Sequence, residues 1–258
     1  MLREPIKQTQ IRSVANALAL LEAFDLEHPE LGVTELAAKL GLALSTVHRL
    51  LTTLVHCRFI EPTGRRTYRL GIKAMEVGSL VLQHRGFGGA IQPFIEELAR
   101  ETGETVNVAI LDGQEIVYVA VLESQAVLRP YFALGQRGSA ANTALGKAVL
   151  AYQTGPEEWP EQLAAELARV KEEGVAFDLE GSEPGVCCVG VPIFSAMRKP
   201  VAAISIAGPT GRVDQELVQR AIPLLREAAI KIAASLAPDL LAASGRPGFR
   251  ASRAPTAR

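Results

Sequence analysis

The chain has few cysteines and no long apolar run. Its 258 residues include three cysteines, Cys57, Cys187 and Cys188, of which two are adjacent. Such spacing forms no disulfide framework and indicates free thiols in a reducing compartment. No apolar stretch approaches the roughly 20 residues that span a bilayer, and the charged N-terminus lacks the apolar core of a signal peptide. We therefore expect a cytoplasmic protein without membrane contact.

Histidine is absent from the C-terminal two thirds of the sequence, since all four histidines precede Gly86. A cysteine or serine nucleophile normally needs a nearby base, usually histidine. Neither Cys188 nor Ser205 can therefore form such a dyad within its own part of the chain. Asp178 or Lys147 could act as a base in principle, but nothing in the sequence supports either. We predict no enzymatic activity and no catalytic residue.

Metal and nucleotide motifs are also missing from that part of the chain. It has no His/Cys pair with ligand spacing, and Cys187 and Cys188 would point to opposite faces of a strand. The GKA sequence that ends at Ala148 is similar to part of a phosphate-binding loop. However, Ala141 stands where its first Gly should be, and Ala148 replaces the Ser or Thr. We expect neither a metal nor a cofactor.

Acidic side chains are scarce in one short segment. Residues 1–85 carry eleven Lys/Arg and eight Asp/Glu, whereas residues 86–237 carry twelve and nineteen. Between Leu44 and Lys73, six basic residues are accompanied by Glu61 alone. A basic patch on a chain of net charge −1 indicates a polyanionic partner, although a merely solvated face gives the same pattern.

The sequence leading into this patch has the pattern of a helix-turn-helix. A first helix is predicted over Ser13–Phe24, with its first residue as the N-cap. Thr34 is expected to cap a short second helix over Glu35–Leu40, and Gly41 allows a tight stop. A third helix begins near Ser45 and buries an apolar stripe with helical spacing. Two helices separated by so few residues are typical of a helix-turn-helix.

A basic hairpin follows the third helix. Strands over Phe59–Pro62 and Thr67–Leu70 enclose a turn that contains Arg65 and Arg66. A helix-turn-helix followed by such a hairpin is a winged helix, and this combination favours a DNA-binding function over a solvated amphipathic helix.

The polar face of the third helix suits a DNA groove. A recognition helix enters the major groove with its N-terminal residues at the base edges. Arg49 is the best candidate for a bidentate guanine contact, and Thr52 and Thr53 can reach a phosphate or a thymine methyl. Ser45 can cap the helix or bind a phosphate. The predicted DNA-binding residues are Thr34, Ser45, Thr46, His48, Arg49, Thr52, Thr53, Arg65 and Arg66.

The remaining sequence alternates helices and strands. The predicted strands are Thr105–Leu111, Glu115–Leu122, Val127–Ala133, Cys188–Phe194 and Val201–Ile206. The predicted helices run from Ile91 to Gly103, from Thr143 to Tyr152, from Glu157 to Glu173 and from Val213 to Leu236. We assign residues 11–73 to the winged helix-turn-helix, 74–89 to a linker helix and hinge, 90–238 to a second domain, and 239–258 to a disordered tail.

Several stretches together resemble the IclR family of bacterial transcription regulators. They are GVTELAAKLGLALSTVHRLLTTL, the hairpin ending YRLG, TALGKAVLAY, GVAFDLEGSEPGVCCVGVPIF and VAAISIAGP. The resemblance covers about Ile11 to Pro238 in order. It implies an α+β protein with an N-terminal winged helix-turn-helix, a linker helix and a C-terminal GAF-like effector domain. It also implies a homodimer or homotetramer. Because one head reads only a few base pairs, we expect two-fold pairing on a pseudo-palindromic operator. The apolar positions of Ile72–Val81 are a natural seam, and packing on their own head is the alternative.

The resemblance also implies an effector pocket. Asp178, Cys188 and Ser205 match the polar pocket positions of members that bind small oxo acids. This chain has Ala207 where those members carry a second serine, and Ala141 where many have histidine.

A helix capped by Thr143 would leave the N–H groups of Ala144 and Leu145 free to bind a carboxylate. We therefore expect a hydroxylated or aromatic carboxylic acid, with Asp178 accepting from its hydroxyl. The predicted effector-binding residues are Ala144, Leu145, Asp178, Cys188, Ser205 and Ala207. Ordinary strand and cap residues remain an alternative for any one of these positions. An oligomerisation module without a ligand also remains open, as does a disfavoured enzymatic second domain.

Overall fold

The computed structural model describes residues 11–153 and 159–236, which form two compact units that divide between Val81 and Leu82. The predicted tail at 239–258 and the first residues of the helix predicted from Glu157 lie outside the described residues.

The N-terminal unit contains the three predicted helices, α1 (Arg12–Leu21), α2 (Val33–Leu40) and α3 (Leu44–His56). Their inward faces form one apolar core, which includes Leu20, Leu36, Val47 and Leu51. Helix α2 ends, as predicted, at Gly41, whose backbone is left-handed (φ 64°). Glycine suits this position because a residue with a Cβ is strained in that conformation. The helix-turn-helix is confirmed.

The helix caps differ from the sequence prediction. Helix α1 begins after Ile11, so Ser13 is not its N-cap. Helix α2 begins after Gly32, whose N–H donates to the Glu35 carboxylate (2.7 Å), so Thr34 lies in the first turn instead of capping it. Helix α3 begins after Ala43, which places Ser45 in the first turn without a capping bond. In each case the main chain turns into the helix two residues earlier than the hydroxyl side chain suggested.

A three-stranded antiparallel sheet forms the wing, with β3 (Thr67–Leu70) between β1 (Leu31–Gly32) and β2 (Ile60–Pro62). Strand β1 was not predicted, because two residues are too short to show an alternating pattern. Helix α4 (Ile72–His84) follows and contains the division between the two units.

The C-terminal unit is built on a six-stranded antiparallel sheet of order β6-β5-β4-β9-β8-β7. Its strands are β4 (Thr105–Asp112), β5 (Glu115–Leu122), β6 (Arg137–Ser139), β7 (Ala176–Leu179), β8 (Val186–Phe194) and β9 (Pro200–Pro209). The hairpin between β4 and β5 is confirmed. Strand β7 was not predicted.

Helices cover both faces of this sheet. A 3₁₀ turn (Gly89–Ile91) leads into α5 (Gln92–Thr102), which packs on one face together with α8 (Gln215–Ser235). Helix α6 (Ala144–Leu150) and α7 (Glu161–Glu173) pack on the other face. Alternate strand residues face the two helix layers, so every central strand is buried on both sides. The predicted α+β class is confirmed.

The predicted strand Val127–Ala133 is wrong. The segment is an irregular loop in which Val127 is fully exposed, and β6 forms the edge of the sheet instead. Pro130 interrupts the segment and has no N–H to give to a ladder. The loop is tied by side chains: Arg129 pairs with Glu123 (2.9 Å), and Arg212 donates to the Leu128 carbonyl (2.8 Å).

None of the helices in the described ranges is long and apolar enough to cross a membrane.

Candidate DNA-binding and effector-binding sites

The start of α3 combines an exposed polar side chain with main-chain N–H groups that have no acceptor. The Ala43 carbonyl accepts from the N–H groups of Thr46 (2.9 Å) and Val47 (3.1 Å), which leaves the first two amides of the helix without an acceptor. Ser45 is exposed beside them. Free N–H groups and the helix dipole both favour a phosphate at this end.

The rest of the polar face of α3 differs from the prediction in one respect. His48 and Arg49 are exposed, and Arg49 makes no ion pair with any described residue. The Thr52 hydroxyl donates to the His48 carbonyl (2.9 Å), and the Thr53 hydroxyl donates to the Arg49 carbonyl (3.1 Å). Each threonine donor is thus used within the helix, and its methyl group remains the part suited to a base.

The turn of the wing presents two unpaired cations. Arg65 and Arg66 are exposed and have no acidic partner in the part of the chain that the structure describes. Arg66 has a left-handed backbone (φ 60°). Arg69, one strand away, is instead paired with Glu61 (3.2 Å). The wing therefore has unpaired arginines at its tip, whereas Arg69 on its strand is paired with an acid.

The predicted effector residues lie together on the α6 face of the large sheet. Asp178, Cys188 and Ala207 are register partners on β7, β8 and β9. Cys188 and Ala207 pack against Ala144 at the start of α6. Ser205 faces the same side, two residues before Ala207 on β9, and is buried. Strands separated by tens of residues thus bring all of these side chains to one place.

The start of α6 is capped as predicted. The Thr143 hydroxyl oxygen accepts from the Gly146 N–H (3.1 Å), while the Thr143 hydroxyl donates to the Ser139 carbonyl (2.9 Å). The N–H groups of Ala144 and Leu145 have no acceptor among the described residues, although both residues are buried. Because α6 has only seven residues, these local donors matter more than any helix dipole.

Gly190 lies between the start of α6 and Ser205. A Cβ at this position would stand 3.4 Å from both the Ala144 carbonyl carbon and the Ser205 Cβ. The glycine therefore leaves the space between the helix start and Ser205 open.

The Asp178 carboxylate accepts hydrogen bonds from the protein itself. One carboxylate oxygen accepts from the N–H groups of Gly181 (2.8 Å) and Ser182 (3.2 Å), and the other accepts from the Ser182 hydroxyl. The side chain is fully buried. These bonds close the loop after β7 and use most of the acceptor capacity of the carboxylate, while the oxygen that faces the Ser182 hydroxyl can accept one further hydrogen bond. That Asp178 accepts from a ligand hydroxyl stays a prediction.

Two neighbouring groups remain neutral hydrogen-bonding side chains. Burial raises the pKa of Cys188, and the nearby Asp178 adds to the effect. Burial likewise raises the pKa of Tyr118, with smaller contributions from Cys188 and Asp178. Cys188 is therefore a thiol, not a thiolate, at neutral pH, which suits a weak donor and not a nucleophile.

Sequence reasoning missed three residues of this face. Tyr118 packs against Phe132 with ring centroids 5.2 Å apart, and Phe132 comes from the loop predicted as a strand. Asn107 is buried on β4 beside Ser205. Asn107 gave a usable signal, since asparagine is depleted in strands and this one stands inside an apolar run.

A cleft of about 620 Å³ opens next to this face. It is lined by the loop from Leu128 to Phe132, by residues 183–186 and by Pro209. Phe132 and Val186 also contact the cluster of Ala144 and Cys188, so the cleft leads toward the predicted pocket.

Within residues 11–153 and 159–236, no three His, Cys, Asp or Glu side chains come close enough to hold a metal ion. The two units together define a class of protein: a winged-helix DNA-binding domain joined to an α/β domain with an effector-type pocket.

Comparison with known proteins identifies the family. The model described as IclR helix-turn-helix domain matches residues 13–64, and the model described as bacterial transcriptional regulator IclR C-terminal matches residues 80–159 and 158–234. The chain belongs to the IclR family of bacterial transcription regulators. It is a DNA-binding transcription regulator with a C-terminal effector-binding domain.

Individual relatives agree with this assignment. The HTH-type transcriptional regulator XynR of Escherichia coli K12 is 31% identical over 245 residues, which cover 88% of this chain and 97% of that protein. A transcriptional regulator from Rhodococcus sp. RHA1 has a similar structure (TM-score 0.78, 26% identity, 88% of this chain and 98% of that one).

An IclR homolog from Microbacterium hydrocarbonoxydans was solved as a complex with 4-hydroxybenzoate (TM-score 0.76, 22% identity, 86% and 98% coverage). At that identity the likeness concerns the fold alone. The matched proteins are regulators and not enzymes.

Proposed function

We propose that this regulator binds a pseudo-palindromic operator as a homodimer or homotetramer in the bacterial cytoplasm. The observation that carries the DNA-binding site is the set of unpaired, exposed arginines at the N-terminal half of α3 and at the wing tip. Arg49 reads a guanine, while Ser45, Thr46 and His48 lie beside it at the helix start. Arg65 and Arg66 contact backbone phosphates. Thr34, in the first turn of α2, lies at the edge of this proposed DNA-binding surface.

The division of labour between helix and wing is testable. Arg49→Ala should remove preference for the operator, because a bidentate guanine contact discriminates by about 1–3 kcal/mol. The double variant Arg65→Ala/Arg66→Ala should weaken operator and unrelated DNA alike, and should lower the salt dependence of binding by about two phosphate contacts. Fluorescence anisotropy at several salt concentrations measures both effects.

Arg69→Ala is the matched control, because this wing arginine is already paired with Glu61. It should change binding much less than the tip variants. Equal loss of operator preference from the helix and wing variants would contradict the proposal.

Homo-oligomerisation is supported by the surface of α4. Ile72, Met75, Val77, Leu80 and Val81 are each about half exposed. Such apolar exposure on one helix favours self-association, and pairing of two heads doubles the base contacts. Sedimentation of the purified protein should show a dimer or tetramer at micromolar concentration. A monomer, both alone and with DNA, would exclude this part of the proposal.

We propose a small carboxylic acid as the effector. Its carboxylate is held by the N–H groups of Ala144 and Leu145 and by the Ser205 hydroxyl, with the Cys188 thiol as a weak further donor. Ala207 and the Leu145 side chain supply an apolar wall. Asp178 holds the loop after β7 through its bonds to Gly181 and Ser182.

The carboxylate site is tested by Ser205→Ala. A binding acid should raise the melting temperature of the parent protein, and the variant should need about tenfold more acid for the same shift. Ser195→Ala is the control, because Ser195 is also buried but lies in the turn after β8. If both variants respond to the acid like the parent, the carboxylate site is misplaced.

A further inference from the structure

One row of residues crosses the sheet beneath the start of α6. Antiparallel pairing aligns Ala176, Gly190, Ser205, Asn107 and Val121 on five neighbouring strands. We call this row the central rung. Directly paired residues of antiparallel strands project from the same face, so the side chains of Ser205 and Asn107 are neighbours on the α6 side.

Asn107 has an unusual environment for an amide. The residue is 1% exposed, and its fully buried Oδ1 has no hydrogen-bond partner among the described residues. Buried polar side chains are nearly always paired, because an unpaired one loses its bonds to water without replacement. An orphan acceptor at this place therefore requires an explanation.

No described neighbour donates a hydrogen bond to Oδ1. The other rung positions next to Ser205 and Asn107 are Gly190 and Val121, which carry no polar side chain. The Thr105 hydroxyl oxygen, on the same strand face, accepts from the Ser124 N–H (3.1 Å). The Ser205 hydroxyl forms no hydrogen bond with Asn107 or with any other residue in the described part of the chain. Two adjacent buried polar groups thus share the absence of a protein partner.

The hydrogen bonds of the Asp178 carboxylate bear on which group accepts from a ligand hydroxyl. Its oxygens accept three hydrogen bonds from the loop after β7, so most of its acceptor capacity serves the protein. Asn107 Oδ1 is an acceptor on the same sheet face, next to the serine assigned to the carboxylate.

We propose that Asn107 Oδ1 accepts a hydrogen bond from a hydroxyl group of the effector and so selects hydroxy acids over the corresponding deoxy acids. This inference rests on the proposed carboxylic-acid effector and adds a specificity-determining residue to it. The acid binds with its carboxylate toward α6 and Ser205, and its hydroxyl toward Asn107. A deoxy acid leaves Oδ1 unpaired in a site from which water is excluded, and a site built for a hydrogen bond rejects such an analogue.

Matched acids measure this selection. Calorimetric titrations of the full-length protein with 4-hydroxybenzoate and benzoate, lactate and propionate, and glycolate and acetate give an affinity ratio for each pair. The parent protein should prefer the hydroxy member of the pair it binds best by about tenfold. Asn107→Leu, close in size but without the oxygen, should abolish that ratio and leave the affinity for the deoxy acid unchanged. A ratio that persists in Asn107→Leu overturns the assignment, as does a parent without any preference.

Two variants separate this effect from loss of structure. Asn107→Asp keeps an acceptor oxygen at the same place, so it should retain the ratio while its added charge weakens both acids. Ser205→Ala should weaken both acids alike and also retain the ratio. All three variants should bind operator DNA like the parent when no acid is present. Loss of the ratio in Asn107→Asp to the same degree as in Asn107→Leu overturns the proposal.

The free protein provides a second measurement that needs no ligand. Removing an unpaired buried oxygen should raise the melting temperature of the effector domain by about 2–4 °C in Asn107→Leu. A fall of that size would mean that the amide is satisfied in the free protein, and would overturn the inference. If no acid of the panel binds the parent, the carboxylic-acid effector fails as a class, while the melting temperature still decides whether Asn107 is an orphan.

Discussion

Replacing Arg212 by methionine should destabilise the effector domain by about 3 kcal/mol. Its guanidinium donates to both carboxylate oxygens of Glu104 (2.6 and 2.7 Å) and to the Leu128 carbonyl (2.8 Å). The Glu104 side chain is 4% exposed, whereas that of Arg212 is 37% exposed. Removal of the arginine leaves a buried carboxylate without a partner and releases the loop that lines the cleft.

The magnitude follows from this asymmetry. Breaking a buried ion pair costs about 3–5 kcal/mol because one charge is left unpaired, and partial access of water favours the lower end. For a domain of this size, about 3 kcal/mol lowers the melting temperature by about 6–12 °C. Glu104→Gln should cost about 1–2 kcal/mol, because the remaining guanidinium can turn to water.

Urea unfolding followed by tryptophan fluorescence measures these differences. The single tryptophan, Trp159, packs against the core beneath α6 and so reports on the effector domain. Arg129→Met is the matched control on the same loop: its pair with Glu123 is exposed on both sides, and such pairs are worth about 1 kcal/mol or less. The reasoning is refuted if Arg212→Met costs no more than Arg129→Met, or less than Glu104→Gln.

Three further predictions concern single residues. At pH 8 iodoacetamide should label the exposed Cys57 within minutes and leave Cys188 unlabelled, because burial keeps that thiol protonated; mass spectrometry of the digested protein checks this, and equal labelling would contradict it. Gly146→Ala should destabilise by about 3 kcal/mol or more, since its Cβ would overlap a main-chain carbonyl, whereas Gly78→Ala, in open space within α4, should be neutral or stabilising in the same thermal melt. Hydrogen bonds from a histidine and a lysine lower the pKa of Asp25 to about 2, so its stabilisation is complete above the unfolded value near 3.8 and lost as the pH falls through 2; the stability difference between Asp25→Asn and parent should therefore shrink between pH 4 and pH 2, and a constant difference would argue against it.

The local features of the molecule were predictable from the sequence. The apolar stripe of α3, the stop at Gly41 and the hydroxyl cap at Thr143 each depend on residues within one or two helical turns. The opposite facing of Cys187 and Cys188 follows from strand geometry alone, and the structure places them in different clusters. Such signals are complete within a few positions, so no tertiary contact is needed to interpret them.

Errors arose where two local signals competed. Hydroxyl side chains at Ser13, Thr34 and Ser45 suggested helix starts, but main-chain and glutamate contacts define each start two residues earlier. The run Val127–Ala133 had strand-like composition, yet its proline and its exposed side chains make it a loop. Composition cannot show which edge of a sheet a segment reaches, because that depends on what already occupies the edge.

Only the tertiary structure decided which polar side chains of the effector domain lie together and which are hydrogen-bonded. Glu104 and Arg212 are 108 positions apart and meet because β9 lies beside β4. The same strand order places Asn107 next to Ser205, and the turn after β7 supplies three hydrogen-bond donors to Asp178. The sequence alone predicted polar pocket residues in the domain that follows the DNA-binding domain along the chain. Which of its polar groups remain unpaired depends on strand pairing across the sheet. Burial there removes water, so each polar group without a hydrogen-bond partner costs free energy.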